Sequence, residues 1–245
     1  MMQIFQDNSL SMAVYSKTGP RHLSRGQENQ DRCLFGCCGR NTFYLALADG
    51  VSSAPYAEKG ADAAVQTIKT VSEYIADGKK AIDDLKGLQN TIVRTWKNHF
   101  FSNWNGYAAT LNFIIFHNNK VLVGRIGDGL IVSQVDNVCR VSTADEDFYS
   151  TETVALGETV NRKDFEICLY PAERFFYAYI VSDGIGKEIA ESSREDLNQY
   201  LLKLSKTSEK QIEQEIVSWV NDLDMKNGDD KTIGFIRWEE LPCRT

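Results

Sequence analysis

The chain has few residues of the kinds that many hydrolases use as nucleophile and base. Only three histidines occur among its 245 residues, so a Ser-His-Asp or Cys-His arrangement has few candidates for its base. The six cysteines include no Cys-x-x-Cys pair and no His-rich partner sequence that would complete a zinc site, which favours reduced structural thiols. Carboxylates must therefore carry any chemistry.

Nucleotide-binding and membrane-spanning signatures are absent as well. No Gly-x-Gly-x-x-Gly follows a strand and no Gly-x-x-x-x-Gly-Lys-Ser/Thr occurs, which argues against a dinucleotide fold and a P-loop. No apolar run approaches the ~20 residues of a membrane-spanning helix, and residues 1–11 lack the pattern of a signal peptide. The net charge of −7 disfavours nucleic acid and anionic lipid. We expect a cytoplasmic monomer that binds neither nucleic acid nor membrane.

Hydrophobic periodicity predicts one α+β domain over residues 1–245, with no repeat or linker that would divide it. Alternating patterns predict strands before residue 49 and again over 109–141, where they indicate an antiparallel meander. Apolar residues three and four apart predict helices over 57–75 and about 80–101. A polar flap is expected over 143–164. Strands are then predicted near 165–169, 175–181 and 232–238, and helices over 194–204 and about 212–223.

Three apolar strands in this pattern each end in Asp-Gly. The dipeptides are Asp49-Gly50, Asp128-Gly129 and Asp183-Gly184, and a further acidic pair, Asp229-Asp230, precedes the last strand. Strand ends hold side chains at fixed separations, and glycine lets the backbone approach a ligand closely. Hard cations such as Mg²⁺ or Mn²⁺ prefer oxygen ligands, and gathered carboxylates are costly unless cations neutralise them. One Asp-Gly is usually a turn, as at Asp77-Gly78, but the set predicts a metal site.

Taken in order, these segments resemble the motifs of the metal-dependent type 2C protein phosphatases, the PPM family, and of a bacterial branch in particular. The matching segments are Gly19-Pro20-Arg21-His22 with Gln30-Asp31, Asp49-Gly50-Val51 with residues 60–64, Ala109-Thr110-Leu111, Gly127-Asp128-Gly129, Ser182-Asp183-Gly184-Ile185 and Asp229-Asp230-Lys231-Thr232. Each motif alone is short, whereas the complete ordered series is specific and spans about residues 19–238.

The resemblance implies a four-layer α-β-β-α sandwich, with two central antiparallel sheets flanked by helix pairs. It implies hydrolysis of phosphoserine or phosphothreonine on a phosphorylated protein substrate by a metal-activated water. The implied cofactors are two divalent cations, Mn²⁺ or Mg²⁺, and a third, weaker one. A role in signalling follows from that reaction.

The resemblance also implies a role for each matching residue. Asp49 would bridge both cations, Gly50 would offer its carbonyl oxygen, and Asp183 and Asp229 would bind one cation. Asp128 together with Asp183 would hold the third cation. Asp31 would order metal-bound water, and Asp31 and Asp49 are the predicted catalytic residues.

The side of the site that should bind phosphate departs from the family pattern. Many members carry a phosphate-binding arginine five residues before the aspartate that matches Asp31, but this chain has Gly26 there. Arg21 and Arg25 are the alternative replacements. His22 is either a supporting residue of the site or a structural histidine.

Two further departures bear on activity. Val51 stands where some members carry a histidine that is a plausible general acid, and Gln30 replaces an acidic residue. Together with Gly26, the missing histidine favours an alternative function, a catalytically weak or silent binding module. Hydrolysis of a small phosphorylated metabolite is also open, because the flap carries no readable specificity. The retained aspartates favour an active phosphoprotein phosphatase.

Overall fold

The computed structural model describes residues 1–136, 138–142, 154–160, 162–223 and 227–240. Within these residues, strands form two sheets in which neighbouring strands are antiparallel. The six-stranded sheet has the order β1 (Met2–Gln6), β2 (Leu10–Lys17), β11 (Lys231–Glu239), β10 (Phe175–Val181), β7 (Leu130–Val135) and β8 (Val138–Ser142). The five-stranded sheet has the order β3 (Asp31–Cys37), β4 (Thr42–Asp49), β5 (Leu111–His117), β6 (Lys120–Ile126) and β9 (Glu166–Pro171).

The strand β4 shows why the two sheets pack face to face. Successive side chains of a strand point to opposite sides, so Leu45 and Leu47 enter the apolar layer between the sheets. Ala46 and Ala48 face the other way and pack against helices. All four are completely buried. Because β4 is covered on both faces, its sequence is a continuous apolar run up to Asp49.

A pair of helices covers the outer face of each sheet. The helices α2 (Ala57–Ala76) and α3 (Leu85–Lys97) pack on the five-stranded sheet, and α5 (Arg194–Leu204) and α6 (Glu209–Asp222) pack on the six-stranded sheet. Two short helices, α1 (Pro20–Ser24) and α4 (Asp183–Gly186), lie outside these layers in sequence segments that contain predicted site residues. The arrangement confirms the predicted four-layer α-β-β-α sandwich.

The element predictions were wrong in two places. The strands β5 to β8 do not form a meander, because the chain leaves the five-stranded sheet after β6 and joins the other sheet at β7. Gly127 lies at this crossing with a φ of 106°, a conformation that favours glycine. The second helix is shorter than 80–101, because the carboxylate of Asp84 accepts a hydrogen bond from the Gly87 amide (3.0 Å) and caps a helix beginning at Leu85.

Several elements had no clear signal in the sequence or lie beyond the described part of the chain. The strand β1 and the helix α1 are short and were not predicted. Most of the flap expected over 143–164 lies outside the described residues, since 143–153 and 161 are not among them. Within the described residues, no helix combines the length and the apolar character needed to cross a membrane.

Candidate metal centre

Asp31 and Asp49 lie directly opposite each other at one end of the five-stranded sheet. Asp31 is the first residue of β3 and Asp49 the last residue of β4, and the strand register pairs them. Asp31 is only 2% exposed, and its Oδ2 atom is buried with no hydrogen-bond partner. Burial raises the pKa of Asp31 to about 7, opposed by Thr232 and Ser182 and reinforced by the nearby charges of Asp230 and Asp183.

The carboxyl group of Asp49 lies in the field of three other acidic side chains. Burial is the main reason why the pKa of Asp49 lies well above its usual value. The negative charges of Asp31, Asp183 and Asp128 raise this pKa further. The predicted ligands therefore act on one another, although they come from separate parts of the sequence. A cluster of carboxylates that resists ionisation for lack of counter-charge has the chemistry of a divalent cation site.

The backbone around Asp49 is fixed on two sides. The Asp49 amide donates to the hydroxyl of Thr110 (3.0 Å), and the Thr110 amide donates to the carbonyl of Asp49 (2.8 Å). The Gly50 amide donates to the carbonyl of Gln30 (3.1 Å), which joins the ends of β3 and β4. A Cβ atom on Gly50 would stand 2.5 Å from the carbonyl oxygen of Ala57, so only glycine permits this close approach to α2.

Asp183 begins the short helix that follows β10. Its Oδ2 accepts a hydrogen bond from Nζ of Lys187, one helical turn later. Burial lowers the pKa of Lys187, but the carboxylates of Asp183, Asp128 and Asp229 outweigh burial and raise it overall. Asp128 lies in the crossing between β6 and β7, within electrostatic reach of Asp49 and of this lysine. Lys187 was not among the predicted site residues, although its place four residues after Asp183 was visible in the sequence.

The acidic pair before β11 divides into two roles. The carboxylate of Asp230 accepts hydrogen bonds from the Gly19 amide (2.7 Å), the Gln30 amide (2.7 Å) and Nδ1 of His22 (2.8 Å). His22 is buried in this contact, which supports the structural alternative for that histidine. The carboxylate of Asp229 is 38% exposed, and its Oδ2 lies 3.9 Å from a guanidinium nitrogen of Arg21. Asp229 is thus the more accessible of the two for a ligand.

A buried lysine holds the loop that carries Asp229. Lys231 is fully buried, and its Nζ donates to the carbonyl of Asn227 (3.0 Å), the side-chain oxygen of Asn227 (3.2 Å) and the carbonyl of Asp229 (2.9 Å). The side-chain Nδ2 of Asn227 in turn donates to the carbonyl of Gly184 (2.9 Å). These bonds connect the loop of Asp229 to the helix of Asp183. Neither Lys231 nor Asn227 was predicted as a site residue. Lysine is rarely fully buried, so a buried role for Lys231 at the start of a strand could not be expected from the sequence.

The predicted ligands come together at one end of the two sheets, but their side chains do not yet form a ligand set. Among the residues that the structure describes, no three side chains of His, Cys, Asp or Glu are grouped closely enough to hold a metal ion. Asp183 contacts Lys187 and Asp229 lies beside Arg21, so each of these two carboxylates has a cationic side chain as its neighbour. The oxygen donors and the unpartnered Oδ2 of Asp31 still fit a divalent cation.

Two antiparallel sheets between helix pairs, with aspartates of both sheets brought to one end, define the class of metal-dependent phosphatases. The family model described as protein phosphatase 2C matches residues 18–221. The chain belongs to the protein phosphatase 2C family, and it is a protein serine/threonine phosphatase. The matched range contains Asp31, Asp49, Asp128 and Asp183 but ends before Asp229. Only the geometry of the loop and of β11 brings Asp229 to this end of the sheets.

Solved structures show the same fold. The catalytic domain of the serine/threonine phosphatase PstP in complex with two manganese ions is 18% identical, with a TM-score of 0.66 over 95% of this chain and 99% of that one. RsbX in complex with magnesium is 14% identical (TM-score 0.62; 98% and 100% covered). The serine/threonine phosphatase of S. agalactiae is 13% identical (TM-score 0.62; 94% and 100% covered). No curated protein matches the chain by sequence.

Proposed function

We propose that this phosphatase removes phosphate from serine or threonine of a protein with two divalent cations held by Asp49, Asp183, Asp229 and the carbonyl of Gly50. One observation carries the assignment: Asp31 and Asp49 are paired in register, and the buried Oδ2 of Asp31 has no partner. A buried carboxylate oxygen without a hydrogen bond is costly, and a nearby cation or its water would compensate it. Mn²⁺ or Mg²⁺ suits such oxygen ligands.

In this mechanism the chain positions the water and the phosphoryl group. Two divalent cations held there would supply an activated water and would neutralise charge on the phosphoryl oxygens. Asp49 lies at the end of a strand fixed by Thr110 and Gln30, so its carboxylate would hold cations from a rigid support. Asp31 faces it across the strand pair and would accept a hydrogen bond from the attacking water, which would direct the oxygen toward phosphorus.

Arg21 supplies the cationic contact to phosphate that position 26 lacks. Its guanidinium lies 3.9 Å from Asp229, and its side chain is 53% exposed. The Arg21 amide donates to the carbonyl of Gly228 (2.9 Å), so α1 stays attached to the loop that carries Asp229. A guanidinium matches phosphate oxygens in a two-pronged contact. These contacts favour Arg21 over Arg25 as the replacement.

We propose a cytoplasmic location, a monomeric state and a signalling role for a single domain over residues 1–245. All five described cysteines are free, which suits a reducing compartment. Three apolar clusters follow one another, the first between one helix pair and its sheet, the second between the sheets and the third under the other helix pair, which supports one folding unit. The substrate is a phosphorylated protein, in keeping with the family.

A second candidate is a weak or silent phosphatase-like binding module. The observation that favours it is the ion pair between Lys187 and Asp183, which engages one oxygen of a carboxylate that is predicted to bind a cation. Such a module would keep the fold and recognise a phosphorylated partner without turnover.

Hydrolysis of a phosphothreonine peptide with Mn²⁺ separates the two candidates. We expect turnover that a chelator abolishes and that Asp183→Asn lowers at least about 100-fold. Asp77→Asn, which alters an exposed Asp-Gly turn after α2, is the matched control and should retain full activity. If the wild-type protein binds Mn²⁺ but hydrolyses the peptide no faster than Asp183→Asn, the protein is a binding module and not an active phosphatase.

A further inference from the structure

One ammonium group lies among the carboxylates that are predicted to hold cations. Nζ of Lys187 donates to Oδ2 of Asp183, and Asp128 and Asp229 also act on its charge. The Asp183 side chain is only 12% exposed, whereas the Lys187 side chain is 65% exposed. The lysine therefore approaches from the solvent side and places its positive charge on Asp183, within electrostatic reach of Asp128 and Asp229.

The short helix α4 fixes this placement. The Gly186 amide donates to the carbonyl of Ser182 (2.8 Å), and the Lys187 amide donates to the carbonyl of Asp183 (3.0 Å). Residues four apart on a helix lie on the same face, so the helix geometry itself places the Lys187 side chain beside Asp183. The ammonium is thus held near the carboxylate by the covalent chain, at a high effective concentration.

We infer that Lys187 takes the place of a third cation, so that the protein holds two divalent cations and excludes a further one. The inference rests on the proposed function, because it presupposes the two-cation centre. A lysine ammonium has three donors and no acceptor, so it can neutralise Asp183 and Asp128 but cannot be a ligand itself. A third cation at Asp128 and Asp183 would have to displace this tethered charge and overcome its repulsion.

A merely structural ion pair would behave differently. Exposed pairs of this spacing contribute little to stability and are weakened by salt. If Lys187 were only such a pair, its removal would leave the number of bound cations unchanged. The count of bound cations therefore separates the two roles, without reference to the activity of the protein.

The test measures Mn²⁺ bound per protein, from the loss of the electron paramagnetic resonance signal of free Mn²⁺. We compare the wild type, Lys187→Met, Lys187→Arg and the control Lys79→Met. Lys79 is a close match, since its side chain is 63% exposed and pairs with Asp77 at 2.7 Å beyond the far end of α2. We expect two ions in the wild type, Lys187→Arg and Lys79→Met. Lys187→Met should bind a third, at least about tenfold tighter than any third ion in the wild type.

Adding Asp128→Asn to Lys187→Met should remove the third ion and leave two, and circular dichroism confirms that each variant is folded. Two ions in both the wild type and Lys187→Met would overturn the inference while the proposed function stands. Three ions of similar affinity in both would overturn it as well. Fewer than two ions in the wild type would instead contradict the two-cation centre itself, and the inference would fall with it.

Discussion

At the scale of single residues, the site depends on which carboxylates have hydrogen-bond donors or counter-charges beside them and which do not. Asp229 and Asp230 are adjacent, yet Asp230 accepts three hydrogen bonds from the protein while Asp229 is more than a third exposed. Burial drives Asp31 and Asp49 toward their protonated forms, and nearby carboxylates add to it, those of Asp230 and Asp183 at Asp31 and those of Asp31, Asp183 and Asp128 at Asp49. A divalent cation reverses that preference, because it supplies the missing counter-charge.

Asp31 makes the protein less stable at higher pH when no divalent cation is present. Its pKa is about 7 in the folded chain, against about 3.9 in an unfolded chain, so the folded state binds more protons between these values. The free energy of unfolding therefore falls as the pH rises from about 4 to 7. Thermal melts in chelator should show this fall, and Asp31→Asn should make it shallower, while Asp49, whose pKa is also raised, causes the part that remains. An equally steep fall in Asp31→Asn would contradict the prediction, and Asp77→Asn is the control.

Arg21→Ala should weaken substrate binding without weakening the binding of Mn²⁺. Loss of a charged hydrogen-bond donor to phosphate should raise KM for a phosphopeptide about tenfold. Mn²⁺ affinity should stay equal or rise, because a positive charge 3.9 Å from Asp229 is removed. Arg25→Ala, at the residue that follows the same short helix, is the control for both measurements. A larger rise of KM in Arg25→Ala would assign phosphate binding to that residue instead.

At the scale of elements, glycines let separate segments meet at the site. A Cβ atom on Gly184 would lie 2.0 Å from the carbonyl oxygen of Asp230, and one on Gly19 would lie 2.2 Å from that of Asp229. The helix α4 and the start of α1 therefore approach the loop before β11 more closely than any other residue type allows. These contacts, with the bond from Asn227 to Gly184, set the position of Asp229 relative to Asp183.

Gly184→Ala should therefore reduce Mn²⁺ affinity at least about tenfold by pushing the loop of Asp229 away. Gly186→Ala is a matched control in the same helix, because its added Cβ atom would meet only ordinary contacts at 3.6 and 3.8 Å. Calorimetric titration with Mn²⁺ measures both variants. Equal affinity in the two variants would show that the close approach at Gly184 does not position the ligands.

The sequence predicted elements better than it predicted how they connect. The apolar run before Asp49 and the stripe of α2 identified both elements, because burial on one or two faces leaves a periodic pattern. The crossing at Gly127 could not be read, since a strand that changes sheet has the same local pattern as one that continues a meander. The acidic positions were visible at strand ends, whereas Lys187, Lys231 and Asn227 act through contacts that only the folded chain creates.

At the scale of the whole molecule, both sheets contribute to one site. Asp31 and Asp49 belong to the five-stranded sheet, and Asp183 and Asp229 adjoin strands of the six-stranded sheet. An apolar layer joins the sheets, and the acidic cluster adds repulsion at one end of it. Cations bound there would link the two sheets and remove that repulsion.

Divalent cations should therefore stabilise the whole fold. At a Mn²⁺ concentration about 100 times the dissociation constant, the midpoint of thermal unfolding should rise by about 5–10 °C. Asp183→Asn should lose most of the rise, whereas Asp77→Asn should retain it. A midpoint that does not respond to Mn²⁺ in the wild type would show that the cations do not bind the native state preferentially.

Anomalous diffraction from crystals of the protein grown with Mn²⁺ would locate the cations of the proposed two-cation centre directly. The proposed centre predicts two anomalous peaks about 4 Å apart, with the Asp49 carboxylate between them and Asp183 and Asp229 within coordination distance. The Oδ2 atom of Asp31 should lie within hydrogen-bond distance of a water between the two ions. No peak at this end of the sheets, or a single ion held by other residues, would contradict the proposed two-cation centre.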